Sequence, residues 1–104
     1  MQGATYETVG NTLKIIGNLD WPLDLEFDIQ TKTFLEEAKK AGYEEIRFDV
    51  TKVGFMGSQY LGAMAAVAAV VKGMGANLTV VATGKVGELL HQIGLHRVMK
   101  LELV

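Results

Sequence analysis

The spacing of apolar residues divides the chain into segments with the period of a strand and segments with the period of a helix. In "EEIRFDV", Ile46, Phe48 and Val50 alternate with charged residues, which is the two-residue period of a half-buried strand. The closing stretch "RVMKLELV" alternates in the same way. It predicts a last strand with one face in water.

Three further strands are predicted from shorter apolar runs. "YETV" and "LKIIGNL" are joined through Gly10-Asn11, a dipeptide that accommodates positive φ in a tight turn, so the two runs predict a hairpin. "NLTVVAT" is almost continuously apolar. That composition is typical of a central strand covered on both faces.

Two segments have helical spacing and recognisable ends. "LDLEFDIQTKTFLEEAKKAG" follows Trp21-Pro22, where Pro22 begins or ends an element and Trp21 is expected to cover the core, and it closes on the stop signal Gly42. Its apolar residues at helical intervals are Phe27, Phe34, Leu35, Ala38 and Ala41. "TGKVGELLHQIGL" is the clearest amphipathic helix, with a C-terminal cap at Gly94-Leu95. Its apolar stripe is Val86, Leu89, Leu90 and Ile93.

Together with the helix described next, these segments follow the order ββαβαβαβ. Strands that alternate with helices imply βαβ crossovers, so we expect an α/β fold with a mixed, mostly parallel sheet and an antiparallel hairpin strand at one side. The length of 104 residues and the absence of a linker predict a single domain over residues 1–104.

The stretch "VGFMGSQYLGAMAAVAAVVKG", which begins at Val53, carries no charge before Lys72. Ser58 stands in a good N-cap position for a helix that runs to about Lys72 and is ended by Gly73 and Gly75. The run approaches the roughly 20 residues that a membrane span needs, but glycines interrupt it and alanine contributes little insertion energy. A packed helix is therefore favoured over membrane insertion.

Three stripes run along this helix. One, suited to packing on the sheet, is Leu61, Met64, Ala65, Ala68 and Val71, and a second apolar stripe is Tyr60, Ala63, Val67, Val70 and Met74. The third, the small-residue stripe, is Gln59, Gly62, Ala66, Ala69 and Gly73. A helix that is apolar on every side is either fully buried or has a partner, and small side chains let another backbone approach closely. The stripe is therefore interpreted as a docking surface, against the equal alternative that alanine is simply the best helix former.

Composition narrows the classes of function. The chain contains no cysteine, which removes disulfides, thiolate metal sites and thiol nucleophiles, and the cytoplasm is the expected location. The N-terminus has no basic lead with a long apolar run, so no secretory signal is predicted. Ten basic and twelve acidic residues give a net charge of -2. Because the basic residues are scattered, nucleic acid is not expected as a partner.

Catalytic and cofactor chemistry is not indicated either. His91 and His96 are five residues apart, with no cysteine and no nearby acidic triad, so a metal site is not expected and both side chains are expected to be solvated. The glycines of "GMGAN" and "TGKVGE" match no phosphate-binding motif. Asp20 and Asp49 stand near predicted strand ends, where capping and turn formation explain them at least as well as function. A non-enzymatic domain without a cofactor is expected, and a small-ligand or nucleotide pocket near Asp49 and Ser58 is the rival hypothesis.

Several short motifs, taken in order, resemble the STAS domain of bacterial anti-sigma factor antagonists. They lie in "IIGNLDWP", "EIRFDVTKVGFMGSQYLGAMAAV" and "GANLTVVATGKVGELLHQIGL", and the likeness extends from about Leu13 to Leu103. Gly17-Asn18-Leu19-Asp20 occupies the slot of the family's G-x-L-D, and Asp49-Val50-Thr51 the slot of its D-[LV]-S. Phe55-Met56 precedes the family's switch loop, Leu61-Gly62 follows it, and "QIGL" precedes the last strand.

The resemblance implies a STAS-like α/β fold and a non-enzymatic switch protein. Such a protein binds an ATP-dependent serine kinase that is itself an anti-sigma factor, and so releases a sigma factor. Phosphorylation of the antagonist ends the binding. The partner-binding residues implied here are Gly57, Ser58, Gln59, Tyr60, Gly62, Ala66 and Ala69. Among them Ser58 is the cap and phosphorylation candidate, and Tyr60 the aromatic anchor.

The switch loop departs from the family pattern. The usual D-S-S-G-L or D-S-A-G-L becomes Gly57-Ser58-Gln59-Tyr60-Leu61, and Gln59 stands in the slot of the commonly phosphorylated serine. Either Ser58 is modified in its place or the switch has been lost, and an N-cap role for Ser58 slightly favours loss. The alternatives that act by binding alone are a STAS subunit of a lipid-transport complex and other binding scaffolds. Self-association as a homodimer through the apolar helix is a further alternative.

Overall fold

The computed structural model describes residues 4–20 and 25–104, and these residues form one five-stranded sheet and three α-helices. The strands are β1 (Thr5–Val9), β2 (Thr12–Leu19), β3 (Glu45–Met56), β4 (Asn77–Ala82) and β5 (Lys100–Leu103). The helices are α1 (Leu25–Ala41), α2 (Ser58–Gly73) and α3 (Gly84–Gln92), and a 3₁₀ turn at Leu95–Arg97 leads into β5. The predicted order ββαβαβαβ is confirmed.

The strands lie in the sheet in their order along the chain, from β1 to β5. β1 and β2 are antiparallel and are joined by a tight turn at Gly10, whose φ of 58° is easily adopted only by glycine. β2, β3, β4 and β5 pair in parallel. The predicted α/β class with a mixed, mostly parallel sheet is therefore confirmed.

The helices pack on one face of this sheet. The ring of Phe34 in α1 contacts Phe48 in β3 at a centroid distance of 5.7 Å, and Phe27 contacts Tyr60 at the start of α2. A Cβ added to Gly87 in α3 would touch Ala82 in β4. Ala82 lies two residues beyond Val80, which pairs with Phe48, so α3 packs on the same face of the sheet as α1. The opposite face of β3 carries Arg47 and Asp49, which are only half-buried. β3 therefore has one face in the core and one face that remains partly in water, whereas residues 78–82 of β4 are all buried, as predicted for a central strand covered on both faces.

The helix ends follow the predicted glycines. The Gly42 N–H donates to the Lys39 carbonyl at 3.1 Å, and the Tyr43 N–H donates to the Ala38 carbonyl at 3.2 Å, with Gly42 at a φ of 74°. This pattern satisfies carbonyls that the end of α1 leaves unpaired. Ala41, the last residue of α1, is exposed, although its spacing placed it with the apolar residues. Gly94 closes α3 in the same left-handed conformation, with a φ of 83°.

Strand β3 is longer than "EEIRFDV" and continues to Met56. The extension pairs with β2 as far as Leu19, opposite Met56, and buries Val53 and Met56. Asp49 therefore lies in the middle of a strand, and its predicted place near a strand end is wrong.

The predicted role of Trp21 and the boundary at Pro22 lie outside the described residues. In the described part of the chain, no helix is long and apolar enough to cross a membrane.

Candidate functional site

The chain passes from β3 into α2 at Gly57. Gly57 is extended, with φ -74° and ψ 159°, and its N–H donates to the Leu19 carbonyl at 2.7 Å. Its own carbonyl accepts the N–H groups of Tyr60 at 3.0 Å and Leu61 at 3.3 Å. Gly57 is therefore the N-cap, and no side-chain hydrogen bond caps α2 among the described residues. The predicted N-cap role of Ser58 is wrong, because the bond to β2 fixes the change of backbone direction one residue earlier.

Ser58 and Gln59 are the first two residues of α2, and both are exposed. The first turn of α2 contains no acidic residue. The positive end of the helix dipole is therefore not offset by a side-chain charge in that turn.

Tyr60 belongs to the core and not to the surface. Its side chain is 1% exposed and packs edge-to-face on Phe27, with ring centroids 5.1 Å apart and an interplanar angle of 89°. The expected role of Tyr60 as an aromatic anchor for a partner is therefore wrong. The reason is geometric, because position 60 of α2 faces α1, and edge-to-face packing is a favoured arrangement of aromatic rings.

All five residues of the small-residue stripe are exposed: Gln59, Gly62, Ala66, Ala69 and Gly73. The buried residues of α2 are Tyr60, Met64, Val67, Ala68 and Val71. A Cβ placed on Gly62 or on Gly73 would meet none of the described atoms within 4 Å. The stripe is therefore an open surface that starts beside Ser58 and runs the length of α2.

A groove between α1 and α2 lies next to this stripe and has a volume of about 480 Å³. On the α2 side, the α1–α2 groove is lined by Ala63, Ala66, Val67, Val70 and Met74. On the α1 side, its charged rim consists of Asp28, Lys32, Glu36 and Lys39. Val70 is 53% exposed, so apolar surface is open to water inside the groove. The groove could not be predicted from the sequence, because the placement of α1 beside α2 is not visible in either segment alone.

An exposed aromatic ring also lies beside the loop. Phe55 is 51% exposed and borders a shallow groove next to α3, which Lys85, Glu88 and Leu89 also line. Phe55 precedes the buried Met56, so the strand period would have placed it on the outer side. In the sequence Phe55 was named only as part of a motif, and its exposed ring was not predicted.

The structure does not bring Asp49 and Ser58 together. Asp49 is half-buried on the open face of the sheet and accepts hydrogen bonds from the Thr51 N–H at 2.9 Å and from the Thr51 hydroxyl at 2.7 Å. Six residues of β3 lie between Asp49 and Met56, and they span on the order of 20 Å even with the irregular pairing of this stretch with β2. Asp49 and Ser58 therefore do not line one pocket, and the rival hypothesis of a small-ligand or nucleotide-binding domain stays a prediction.

His91 and His96 are both exposed, and their rings stack with centroids 4.2 Å apart and an interplanar angle of 11°. Parallel rings aim their nitrogen lone pairs along parallel planes and not at a common point. The arrangement is therefore a surface stack and not a preformed ligand pair.

No protein-family model matches the chain, and no curated protein matches it. Among solved structures, the chain is similar to the protein TM1081, determined by NMR, with 19% sequence identity and a TM-score of 0.68. The similarity covers 100% of this chain and 83% of that chain. At this level of identity the likeness shows the fold alone.

Proposed function

We propose that this chain is a STAS-like domain that regulates by binding a protein, as anti-sigma factor antagonists do. The observation that carries the proposal is the continuous exposure of the small-residue stripe from Gln59 to Gly73, directly after the exposed Ser58. Exposed apolar surface of this kind marks interaction sites. The activity is binding and not catalysis, and the cytoplasm is its expected location.

The proposed partner is an anti-sigma factor that is also an ATP-dependent serine kinase. This choice rests on the motifs of the loop and of α2, and on a sheet in which one antiparallel strand precedes four parallel ones. The partner approaches most closely at Gly62, Ala66 and Ala69. Gly57, Ser58 and Gln59 border this surface at the N-terminal end of α2. Phe55 replaces Tyr60 as the aromatic contact, since it is exposed beside the same loop.

Phosphorylation of Ser58 would switch this surface through charge. A phosphate adds about -1.5 to -2 charges at neutral pH. The free chain tolerates such an anion on the first turn of a helix, because the N-terminal end of the dipole is positive. In the complex, the same charge would lie against an uncharged surface and would have to be desolvated, so the complex weakens.

A binding domain without a switch is the second candidate, and one observation favours it. Gln59, a neutral residue that cannot accept phosphate, occupies the slot of the usual phosphorylated serine. A STAS subunit of a lipid-transport complex belongs to this class. The two candidates share the docking surface and differ in the fate of Ser58.

The docking surface is tested by Ala66→Arg, which places a long charged side chain on the stripe. Because Ala66 is exposed, we expect the variant to fold with unchanged stability and to lose partner binding at least about tenfold. The matched control is Thr33→Arg, which adds the same charge at an exposed position of α1 that does not line the α1–α2 groove. Capture from host lysate followed by titration with the purified partner measures both variants. Equal binding by Ala66→Arg and wild type would refute the surface.

The switch is tested by the same capture with and without ATP, followed by mass spectrometry of Ser58. Release of a kinase-like partner with phosphate on Ser58 supports the antagonist. A partner that stays bound in ATP with Ser58 unmodified supports the scaffold, and transporter subunits in the captured material support the lipid-transport alternative.

A further inference from the structure

The charged rim of the α1–α2 groove has an alternating order of signs. Asp28, Lys32, Glu36 and Lys39 are spaced by four, four and three residues, so they lie on one side of α1. All four are exposed. In the described part of the chain, the ion pair within 4 Å joins Arg47 to Glu102, and none of the four rim charges takes part in one.

This order is complementary to itself in the reverse direction. If a second copy places its α1 antiparallel on the first, Asp28 faces Lys39 of the second copy, and Lys32 faces Glu36 of the second copy. The midpoints of these two pairings differ by half a residue, which is less than about 1 Å along a helix. One two-fold axis beside Phe34 therefore pairs all four charges with opposite charges. A parallel arrangement would instead place like charges together.

The apolar side of the groove fits the same axis. α1 and α2 each connect neighbouring parallel strands, so they run in the same direction, and the contact of Phe27 with Tyr60 sets their relative level. Both helices rise by the same amount per residue, so Phe34, seven residues after Phe27, lies level with Val67, seven residues after Tyr60. The axis beside Phe34 therefore crosses α2 between Ala66 and Val67.

Side-chain sizes are complementary about this point. The two-fold operation brings Val70, which is 53% exposed, opposite Ala63 of the second copy. The exposed Val70 therefore meets the smaller Ala63 across the axis, and this pair occurs twice, as an isologous interface requires.

From these two observations we infer that the α1–α2 groove is a self-association site for a second copy of this chain. In the dimer, α1 lies antiparallel on α1 and α2 antiparallel on α2, with the charged rims paired and the apolar sides of the grooves in contact. The paired charges lie at exposed positions, where ion pairs contribute little, so we expect the dimer to be weak and to depend on concentration. Ala66 is covered in it, which means that self-association competes with any partner docked on the stripe. The inference does not depend on the identity of such a partner.

Charge-swap variants of the purified full chain test the inference by sedimentation equilibrium over a range of concentrations. For wild type we expect the mass to rise from the 11.3 kDa of one chain towards twice that value. Lys32→Glu creates two like-charge pairs with Glu36 and should raise the dissociation constant about tenfold or more. The double variant Lys32→Glu/Glu36→Lys restores opposite charges at both places and should return the constant close to the wild-type value. Lys40→Glu makes the same change in charge at an exposed position of α1 outside the groove and should leave the constant unchanged.

Three results would overturn the inference. Wild type that stays at the mass of one chain at every concentration excludes the dimer. A dimer that Lys32→Glu weakens no more than Lys40→Glu excludes this pairing of the rims. Failure of the folded double variant to recover also excludes it, with folding checked by circular dichroism. Because no partner protein is present, none of these results bears on the Ala66→Arg test of partner binding.

Discussion

Asp49 is the side chain whose ionisation the fold changes most clearly. Partial burial raises the pKa of Asp49, but the hydrogen bonds from the Thr51 hydroxyl and N–H, with the charges of Lys14 and Arg47, outweigh it. The pKa of Asp49 therefore lies below its ordinary value. A carboxylate in this position favours the folded state through its charged form.

The depressed pKa of Asp49 predicts a pH-dependent contribution to stability. Because the folded pKa is the lower one, the contribution is present above about pH 4, where the unfolded carboxyl ionises, and is lost as the pH falls through the folded pKa. We expect the free energy of unfolding of wild type to exceed that of Asp49→Asn at pH 6 and the difference to shrink below pH 4. Urea unfolding of both proteins between pH 3 and pH 7 measures it. A difference that stays constant over that range would contradict the prediction.

At the scale of the element, one glycine in α2 and one in the turn after it allow the effect of backbone conformation on stability to be measured apart from the effect of packing. Gly62, in the interior of α2, and Gly75, after its end, have no described atom within 4 Å of an added Cβ, but Gly75 has a φ of 80°. Gly62→Ala should raise the free energy of unfolding by about 0.5–1 kcal/mol, since alanine favours the helix. Gly75→Ala should lower it by about 1–2 kcal/mol, since a Cβ disfavours the left-handed conformation. Urea unfolding measures both, and a loss of stability in Gly62→Ala would mean that the stripe is packed against something.

The elements could be predicted from the sequence because their ends depend on local chemistry. Gly42 and Gly94 end helices by adopting positive φ, and Gly10 turns the hairpin. Which side of α2 is buried could not be predicted in the same way. Tyr60 and Ser58 lie in a segment that is apolar on every side, so periodicity does not show which side is buried. Contacts with distant residues decide it: Phe27 packs on Tyr60, and Leu19 fixes the cap at Gly57.

At the scale of the whole molecule, the small-residue stripe was predictable and the groove beside it was not. The stripe is a property of one helix, and its exposure follows from the burial of Met64 and Val71 on the opposite side of α2. The groove needs α1 and α2 side by side, an arrangement set by the pairing of β2, β3 and β4. Sheet order is a non-local property, which the sequence restricts to a few topologies without selecting one.

The two faces of the sheet contribute unequally to stability, and neighbouring residues of β3 show the difference. Phe48 is fully buried and contacts Phe34, whereas Arg47 points to the open face and pairs with Glu102 at 3.4 Å. The side chains of that pair are 33% and 41% exposed, so water screens their attraction. The covered face should therefore supply most of the free energy of unfolding, and the charged face little.

A double-mutant cycle compares the two faces directly. We expect Arg47→Ala and Glu102→Ala to show a coupling energy under about 1 kcal/mol, and 1 M NaCl to reduce it further. Phe48→Ala should cost about 3–5 kcal/mol, because it leaves a cavity against α1. Urea unfolding of the four proteins of the cycle and of Phe48→Ala gives both quantities. A coupling of several kcal/mol would mean that the ion pair fixes β5 in the sheet, since Arg47 in β3 reaches across β4 to Glu102 in β5.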